Sequence, residues 1–367
     1  MNFNAPLLRP VRMLLFPFSL LYALIVWIRN KLFDKNILST SKFNLPVIGI
    51  GNLSAGGTGK SPMVEFILRK FGHTTKLAVL SRGYKRKTSG YTLANEKSTA
   101  LEIGDEPMLF HSKFPHVAVA VGEERIVALP QLLHDRPDTE AVVLDDAFQH
   151  RYITPGLDIL LTEFNNLFFN DWFLPTGDLR DLPSSYKRAH VIVVTKCHPE
   201  MSDTDRIRVI EELKPLPHQE VFFTTISYGE PYHLISGEKR LPDTSTEVLL
   251  VSGIANPKPL KKYIAANSST YNEILYNDHH VFSIDDWKDI RKRFEEMTAE
   301  KKIILTTEKD AVRLVKFGAS LIDYPLYVIP IEVSFLFEGE LPFTQLITKF
   351  IASYRTKINL DARKETI

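Results

Sequence analysis

A glycine-rich stretch, AGGTGKS at residues 55–61, contains the residue types that bind a chain of phosphates. The usual phosphate-binding loop (P-loop) reads G-x-x-x-x-G-K-[ST], and Gly59, Lys60 and Ser61 supply its last three positions. Ser54 stands at the first glycine position, which requires only that the serine backbone keep ordinary angles. In such a loop, backbone N–H groups hold phosphate oxygens, the lysine reaches the terminal phosphates and the hydroxyl coordinates Mg²⁺. Rather than a chance turn, we predict a nucleotide site made of Ser54, Ala55, Gly56, Gly57, Thr58, Gly59, Lys60 and Ser61.

Two adjacent aspartates, Asp145 and Asp146, directly follow the apolar run AVVL. An acidic residue at the end of a buried strand holds the metal ion, or a water bound to it, in P-loop phosphoryl transfer. An Asx turn after the strand is the structural alternative. The polar run QHR that follows makes the cluster denser than a turn requires. We predict that both aspartates join Ser61 at the Mg²⁺ site.

Two further motifs each admit two interpretations. In IGDEPMLF, residues 103–110, Asp105 and Glu106 precede a proline, which is also the pattern of a helix start. In NDHHVF, residues 277–282, His279 and His280 could bind a metal, but adjacent histidines rarely ligate one ion together. A histidine paired with a carboxylate is the more useful chemistry for moving a proton.

These motifs need elements that position them, and an alternation of strand and helix begins near residue 43. The segment after Lys60 has apolar residues at helical spacing and ends at Gly72, so the glycine-rich loop lies between a strand and a helix. Continuous apolar runs are typical of buried parallel strands covered on both faces. They predict strands over 45–51, 76–83, 116–122, 141–146, 157–163 and 190–196.

Composition narrows the class of protein. The chain has 367 residues, 44% of them hydrophobic and 24% charged, which describes a globular protein of two or three packed units. A net charge of +1 argues against a nucleic-acid-binding face. Cys197 is the single cysteine, so an internal disulfide is excluded and a reducing compartment is indicated.

The N-terminal segment has sixteen uncharged residues, Met13 to Ile28, between two arginines. As a helix it would reach about 24 Å, which is shorter than the ~30 Å hydrocarbon core of a bilayer. Three interpretations compete: a cleaved signal peptide, for which the small-residue cleavage site is missing, a core helix or one covering another part of the fold, and a helix on a membrane surface. The basic flanks and the tryptophan favour the helix on a membrane surface.

Taken together, the motifs resemble those of one family. The stretches GNLSAGGTGKSP, LSRGY, GDEP, VAVGEER, LDDAFQHR, LPTGDLRD, DHHVF and TTEKDAV occur in this order. With LLRP at Leu7–Pro10, they are similar to the motifs of the tetraacyldisaccharide 4'-kinases, the lipid A 4'-kinases, as far as about residue 312. A serine or similar residue at position 54 is usual in that family. The chain departs from it at Ala147, usually glycine, and at Asp181, usually glutamate.

The resemblance implies transfer of phosphate from ATP, with Mg²⁺, to the 4'-hydroxyl of an acylated glucosamine disaccharide 1-phosphate. It implies that Asp105 is the catalytic base and that His279, or else His280, is its partner in a dyad. Because the dyad residues are far apart in sequence, we expect them to meet when two lobes close. Further residues implied to line the site are Arg82, Glu106, Arg125, Gln149, His150 and Arg180; for each arginine, a solvated surface charge is an equal alternative.

The resemblance also implies an α/β fold with a P-loop NTPase-like parallel-sheet lobe, a smaller α/β lobe and a β-hairpin linker. An N-terminal helix would rest on the cytoplasmic face of the inner membrane as a peripheral anchor, and no motif indicates a protein partner. The hairpin is predicted from 221–229 and 232–237. The predicted divisions are an interfacial helix (1–35), a P-loop lobe (36–222), the linker (223–244), a second lobe (245–340), and a helix and tail (341–367).

One alternative comes from another functional class. The run AGGTGKS also resembles the ParA/MinD-type ATPases, which are positioning switches at membranes. Those proteins carry a signature lysine before the paired glycines, and that position is Ala55 here. A membrane scaffold without enzymatic activity is disfavoured by the combination of Lys60, Ser61 and Asp145.

Overall fold

A computed structural model describes the backbone of residues 9–364 and the side chains of residues 12–354. The start of the predicted segment 1–35, with the first two residues of LLRP, and the last three residues of 341–367 lie outside the described residues. The strands are β1 (Val47–Asn52), β2 (Leu77–Ser81), β3 (Thr92–Leu93), β4 (Ala118–Val121), β5 (Ala141–Asp145), β6 (Leu157–Glu163), β7 (Val191–Thr195), β8 (Glu220–Tyr228), β9 (Tyr232–His233), β10 (Glu247–Ser252), β11 (Thr270–Leu275), β12 (Lys302–Thr307), β13 (Leu326–Ile329) and β14 (Ile331–Phe335). The helices are α1 (Arg9–Leu14), α2 (Phe16–Asp34), α3 (Lys60–Phe71), α4 (Ala100–Ile103), α5 (Asp105–Lys113), α6 (Arg125–Asp135), α7 (Asp203–Leu213), α8 (Lys258–Asn267), α9 (Ile284–Glu295), α10 (Glu308–Leu314) and α11 (Glu340–Lys364).

The larger sheet of the described chain has nine strands in the order β14-β8-β7-β6-β1-β5-β2-β4-β3. Its six predicted strands are present and pair in parallel, while β3 and β14 run antiparallel at the two edges. Every residue of β1, β2 and β5 is buried, as expected for strands covered by helices on both faces. The α/β class with a P-loop-like parallel sheet is confirmed.

Strand order brings the two phosphate-related motifs together. β1 lies between β6 and β5, and Ile50 of β1 is in register with Asp145 of β5. The glycine-rich loop that follows β1 therefore emerges beside the aspartates that follow β5. In parallel α/β sheets, ligands bind at this carboxyl edge, where the strand order reverses.

A second sheet in the described chain has five strands in the order β11-β10-β12-β13-β9, of which only β9 is antiparallel. Helix α9 packs Trp287, Ile290 and Phe294 onto one of its faces. Helix α8 packs Leu260 and Ile264 onto the other. This smaller α/β layer places α10 and the loop containing His279 against the first sheet's helix α5.

The predicted pairing of 221–229 with 232–237 is wrong in its partners. β8 extends the larger sheet, bonded in parallel to β7 and antiparallel to the distant β14, whereas β9 joins β13 in the smaller sheet. A short hairpin closes instead within the linker, where Tyr232 forms a bridge with Lys239. Two neighbouring strands give β8 hydrogen bonds on both edges, which a local hairpin would not provide. The chain thus crosses between the sheets twice, and Gly229 N–H donates to the Pro330 carbonyl (3.0 Å) at the crossing.

Helix α2 lies along the first lobe and packs only one face against it. Ser19 Oγ donates to Thr176 Oγ1 (2.7 Å), and near the other end Asn30 Nδ2 donates to Asp181 Oδ1 (2.7 Å). Asp181 is buried, so the shorter side chain in place of glutamate meets α2 directly. The opposite face exposes a row of large apolar side chains: Phe18, Leu20, Leu21, Leu24, Ile25, Trp27 and Ile28.

The last helix returns to the first lobe. α11 occupies most of the segment predicted as a helix and tail (341–367), and it buries Phe343, Ile347 and Ile351 in the same core as α3 and β1. Because β14 and α11 follow the second sheet in sequence but pack on the first, the larger lobe is built from both ends of the described chain.

Candidate functional site

The glycine-rich loop turns sharply into the N-terminus of α3. Gly59 precedes the helix with a left-handed φ of 88°, a conformation that side chains other than glycine rarely adopt. Ser54 has no positive φ, so the serine meets the condition set by its position in the pattern. The Thr195 hydroxyl donates to the Thr58 carbonyl (2.9 Å) and anchors the loop to β7. The N–H groups in the first turn of a helix have no partner within it, so a glycine-rich loop leading into the start of α3 is the arrangement that binds anions.

The two aspartates after β5 have different environments. Asp145 is fully buried; its Oδ2 accepts a hydrogen bond from Ser81 Oγ (3.0 Å), while its Oδ1 has no protein partner. Burial, together with the nearby charges of Glu106 and Asp146, raises the pKa of Asp145 to about 7. Asp146 has a φ of 49°, so the strain of this turn lies at Asp146 rather than at Ala147. Asp tolerates that left-handed conformation better than most residues do.

Asp146 belongs to an ionic cluster below the loop. Arg180 donates to both carboxylate oxygens of Asp146, and Lys60 Nζ lies 3.5 Å from one of them. Burial would raise the pKa of Asp146, but the hydrogen bonds from Arg180 and the charge of Lys60 hold it well below its usual range. Asn52, at the end of β1, accepts from Lys60 (3.1 Å) and from Arg180, so it joins the loop lysine to this cluster.

Glu106 connects the loop to the second lobe. Its Oε1 accepts hydrogen bonds from Ser61 Oγ (2.7 Å) and from Lys309 Nζ (2.6 Å), the latter on α10. Burial would raise the pKa of Glu106, yet Lys309 and Ser61 hold it below its usual value. Glu106 was predicted only as a residue lining the site, whereas in the structure it contacts the P-loop serine directly.

Asp105 and His279 lie in contact at the junction of the lobes. His279 Nδ1 is 2.7 Å from Asp105 Oδ2, and a carboxylate only accepts, so Nδ1 carries the proton. His280 turns away and bonds Asp286 Oδ2 through Nε2 (2.9 Å), so of the two histidines it is His279 that meets Asp105. His279 has a φ of 63°, which is backbone strain of the kind that concentrates at functional sites.

An arginine that the sequence analysis did not single out binds the same carboxylate. Arg313 of α10 donates from Nε to Asp105 Oδ1 (2.9 Å) and from Nη2 to Oδ2 (2.6 Å). Burial would raise the pKa of Asp105, but the hydrogen bonds from His279 and Arg313 lower it to about 2. The Asp105 carboxylate is therefore ionised throughout the neutral pH range.

A cavity of about 610 Å³ opens beside the loop. Its lining includes the glycine-rich loop with Lys60 and Ser61, and Lys309 of the second lobe. The lining also includes the side chains of Ile226, Tyr228, Ile254, Pro259 and Ile331. The cavity thus combines phosphate-binding groups with apolar and aromatic side chains from both lobes, which suits a nucleotide.

The remaining predicted lining residues are distributed around the aspartate turn. Arg125 is fully buried and donates to the Asp145 carbonyl (2.7 Å), so it supports the turn, and it is not among the residues lining the 610 Å³ cavity. Gln149 Nε2 donates to the Asn52 carbonyl (2.7 Å). Burial, together with the charges of Arg125 and Arg82, lowers the pKa of His150 to about 4. The Arg82 side chain itself is exposed.

Three residues of the cluster had no assigned role in the sequence analysis. Lys309 lies inside the TTEKDAV motif, and Arg313 stands one residue beyond it. Their position in or next to a family motif was the sequence signal that could have identified both as candidate site residues. Asn52 ends the strand before the P-loop, where a buried polar side chain has to find partners.

The same cleft contains oxygen donors that could hold a metal ion. Among the residues that the structure describes, no three histidine, cysteine or carboxylate side chains converge as a metal cage. Mg²⁺ needs no such cage, because it usually keeps waters and takes one or two carboxylates together with substrate phosphates. The unpartnered Asp145 Oδ1 and the Ser61 hydroxyl are oxygen donors of the kind that Mg²⁺ prefers, so the residues present fit that ion.

Comparison with known proteins gives a consistent result. A curated tetraacyldisaccharide 4'-kinase from Parabacteroides distasonis is 44% identical over 353 residues, covering 92% of this chain and 94% of the relative. Another from Bacteroides thetaiotaomicron is 41% identical over 351 residues and covers 92% of both chains. The crystal structure of LpxK from Aquifex aeolicus in complex with ATP superimposes with a TM-score of 0.72 at 28% identity, covering 93% of this chain and 99% of that one.

A sequence profile of one family spans nearly the same region. It matches residues 11–352, which include the glycine-rich loop, both aspartates, Asp105 and His279. The ParA/MinD-type alternative is not favoured by these matches. The chain therefore belongs to the LpxK family, the tetraacyldisaccharide-1-P 4'-kinases.

Proposed function

We propose that this protein transfers the γ-phosphate of ATP to the 4'-hydroxyl of an acylated glucosamine disaccharide 1-phosphate, a step of lipid A biosynthesis. The proposal is carried by one observation besides family membership: the adjacent residues Asp105 and Glu106 link the P-loop to His279. Glu106 touches the P-loop serine, and its neighbour Asp105 touches the histidine. The segment Asp105–Glu106 thus connects the phosphate-binding loop to the proposed proton acceptor.

The chemistry assigned to the pair is a single phosphoryl transfer. The 4'-oxygen bonds to the γ-phosphorus, the bond to the β–γ bridging oxygen breaks, and ADP leaves. Asp105 accepts the hydroxyl proton late in the transfer, when the nucleophilic oxygen has become acidic. His279 donates to Asp105 from Nδ1 and so orients the carboxylate without competing for the proton.

The nucleotide-binding roles follow the same cleft. Backbone N–H groups of residues 54–61 would hold the phosphates, Lys60 would reach the terminal ones, and the apolar side chains lining the 610 Å³ cavity would contact the base. Ser61 and Asp145 would hold Mg²⁺, which neutralises charge on the phosphates when bound. Asp146 was predicted with them, and we assign it instead to restraining Lys60 and Arg180, since both of these cations contact it.

The N-terminal helix supplies the membrane contact in this proposal. By length and composition, α2 is apolar enough to cross a membrane. Its polar contacts run from Ser19 to Asp34 along the first lobe, which a membrane-crossing helix would have to give up. We therefore assign α2 to the surface of the inner membrane on its cytoplasmic side, where ATP is present, with its exposed apolar row in the lipid.

One assay tests the function directly. Purified protein is given γ-labelled ATP, Mg²⁺ and the acylated disaccharide 1-phosphate in mixed micelles, and label is followed into the lipid fraction. Transfer that requires both the lipid and Lys60 supports the kinase, with Lys60→Met as the inactive reference and Lys288→Met, an exposed lysine of α9 outside the cavity, as the matched active control. ATP hydrolysis that is independent of the lipid, with no labelled lipid, would reject the kinase in favour of a switch.

A further inference from the structure

The Asp105 carboxylate is tied to the second lobe by more than its histidine. Arg313 approaches it with two N–H groups side by side, a bidentate geometry that fixes the plane of the carboxylate as well as its position. The Arg313 side chain is 6% exposed and that of Asp105 is 13% exposed, so little solvent screens the pair. A lysine at this position would hold the charge but not the plane.

The hydrogen bonds from Arg313 and His279 leave only part of the Asp105 carboxylate free to accept another donor. A carboxylate offers about four lone-pair positions, two on each oxygen. Oδ2 uses both of its positions, for Arg313 Nη2 and His279 Nδ1, and Oδ1 uses one, for Arg313 Nε. The one remaining acceptor position is on Oδ1, so an incoming hydroxyl has a single place to donate its proton.

Arg313 is itself held rigidly. Its Nη1 lies 3.4 Å from Asp310 Oδ1 and 3.4 Å from the His280 carbonyl. Asp310 is fully buried and accepts from Gly253 N–H (3.0 Å) and from Thr307 Oγ1 (2.7 Å) at the ends of β10 and β12. The guanidinium is therefore anchored to the second sheet and reaches across to α5 of the first lobe.

We propose that Arg313 is a positioning residue for the phosphoryl transfer: its fork aims the free acceptor position of Asp105 at the substrate hydroxyl and sets that aim from the second lobe. The inference rests on the proposed function, because it gives Asp105 the role of base. It adds to the Asp105–His279 pair a third member, which is not among the residues lining the 610 Å³ cavity. Placing the catalytic oxygen through the second lobe makes transfer depend on the arrangement of both lobes.

Steady-state kinetics of Arg313→Met with γ-labelled ATP and the acylated disaccharide 1-phosphate test the proposal. Loss of aim should lower kcat about 10- to 100-fold, the range expected for a misplaced catalytic group. The KM for ATP should stay within about twofold, because Arg313 is not among the residues lining the 610 Å³ cavity. Arg313→Lys should recover part of the loss, and Arg293→Met, which alters an exposed arginine of α9, should keep the wild-type rate.

A double-mutant cycle separates an effect through Asp105 from any other. If Arg313 acts by aiming Asp105, Arg313→Met in the background of Asp105→Asn should cost no more than about twofold beyond Asp105→Asn alone. Losses that multiply would overturn the proposal, as would a wild-type kcat in Arg313→Met. If Arg313→Met does not fold, judged by its melting temperature, the cycle is run with Arg313→Lys, and the same two outcomes decide. A wild-type rate in Asp105→Asn would instead reject the base assignment, and no lipid labelling by the wild type would reject the function.

Discussion

The apolar face of α2 allows a membrane-binding experiment in which the expected change in affinity can be calculated in advance. Leu21, Leu24 and Ile25 are 55%, 51% and 56% exposed, and none of them supports the core beneath the helix. Burying a whole aliphatic side chain of this size is worth about 1.5–3 kcal/mol, so a half-exposed one still has about 1 kcal/mol to gain from lipid. Replacing all three with glutamine should remove about 3 kcal/mol of membrane affinity.

That energy corresponds to about a 100-fold fall in the partition coefficient, since each 1.4 kcal/mol is tenfold. The assay is sedimentation with vesicles containing anionic lipid, over a range of lipid concentrations. The melting temperature in solution should not fall, because the three side chains are exposed in the folded protein.

A matched variant shows whether the location of the apolar residues matters. Ile235, Leu241 and Ile322 are 47%, 59% and 60% exposed on the second lobe, and their triple glutamine variant should bind vesicles like the wild type. Equal losses in both variants would point to general hydrophobic adsorption. A partition coefficient of the α2 variant within about threefold of the wild type would refute the assignment of this helix to the bilayer surface.

Four further outcomes are expected. Asp105→Ala should lower kcat by at least about 100-fold with little change in the KM for ATP, and a rate within threefold of wild type in the lipid-labelling assay would contradict it. His279→Ala should reduce kcat far more than His280→Ala, because only His279 contacts Asp105; equal losses would count against the dyad. Ile347→Ala should cost about 2–5 kcal/mol in urea unfolding, since α11 buries that side chain in the main core, and a cost below 1 kcal/mol would show that α11 is dispensable. Burial raises the pKa of the Cys197 thiol to about 11, so at pH 8 the thiolate fraction is about 0.1% and alkylation by iodoacetamide, followed by mass spectrometry, should be far slower than in urea.

The larger sheet was predictable because its signals are local. Each parallel strand is a continuous apolar run, since both of its faces are covered, and such runs stand out wherever they occur. The phosphate-binding loop was predictable for the same reason: its glycines, lysine and serine are neighbours in the sequence within one turn. Asp145 follows its strand directly, so its position at the sheet edge needed no knowledge of distant residues.

The linker shows where local signals mislead. The segments 221–229 and 232–237 have strand-like sequences separated by a turn, and that pattern alone favours a hairpin. The antiparallel partner of β8 is β14, about a hundred residues later in the chain. The pairing of β14 depends on the edge that β8 offers at the end of the larger sheet. The sequence of neither strand indicates that the two strands pair.

By itself, the sequence determined the chemistry available to this protein: a loop for phosphates, carboxylates at strand ends, and an apolar N-terminal segment. Only the tertiary structure decided which groups work together. It chose His279 over His280 for Asp105, buried Arg125 under the aspartate turn, and brought Arg313 to a carboxylate 208 positions away. The physical reason is that hydrogen bonds and ion pairs act over a few ångströms, whereas the residues that make them come from lobes whose docking no short stretch of sequence encodes.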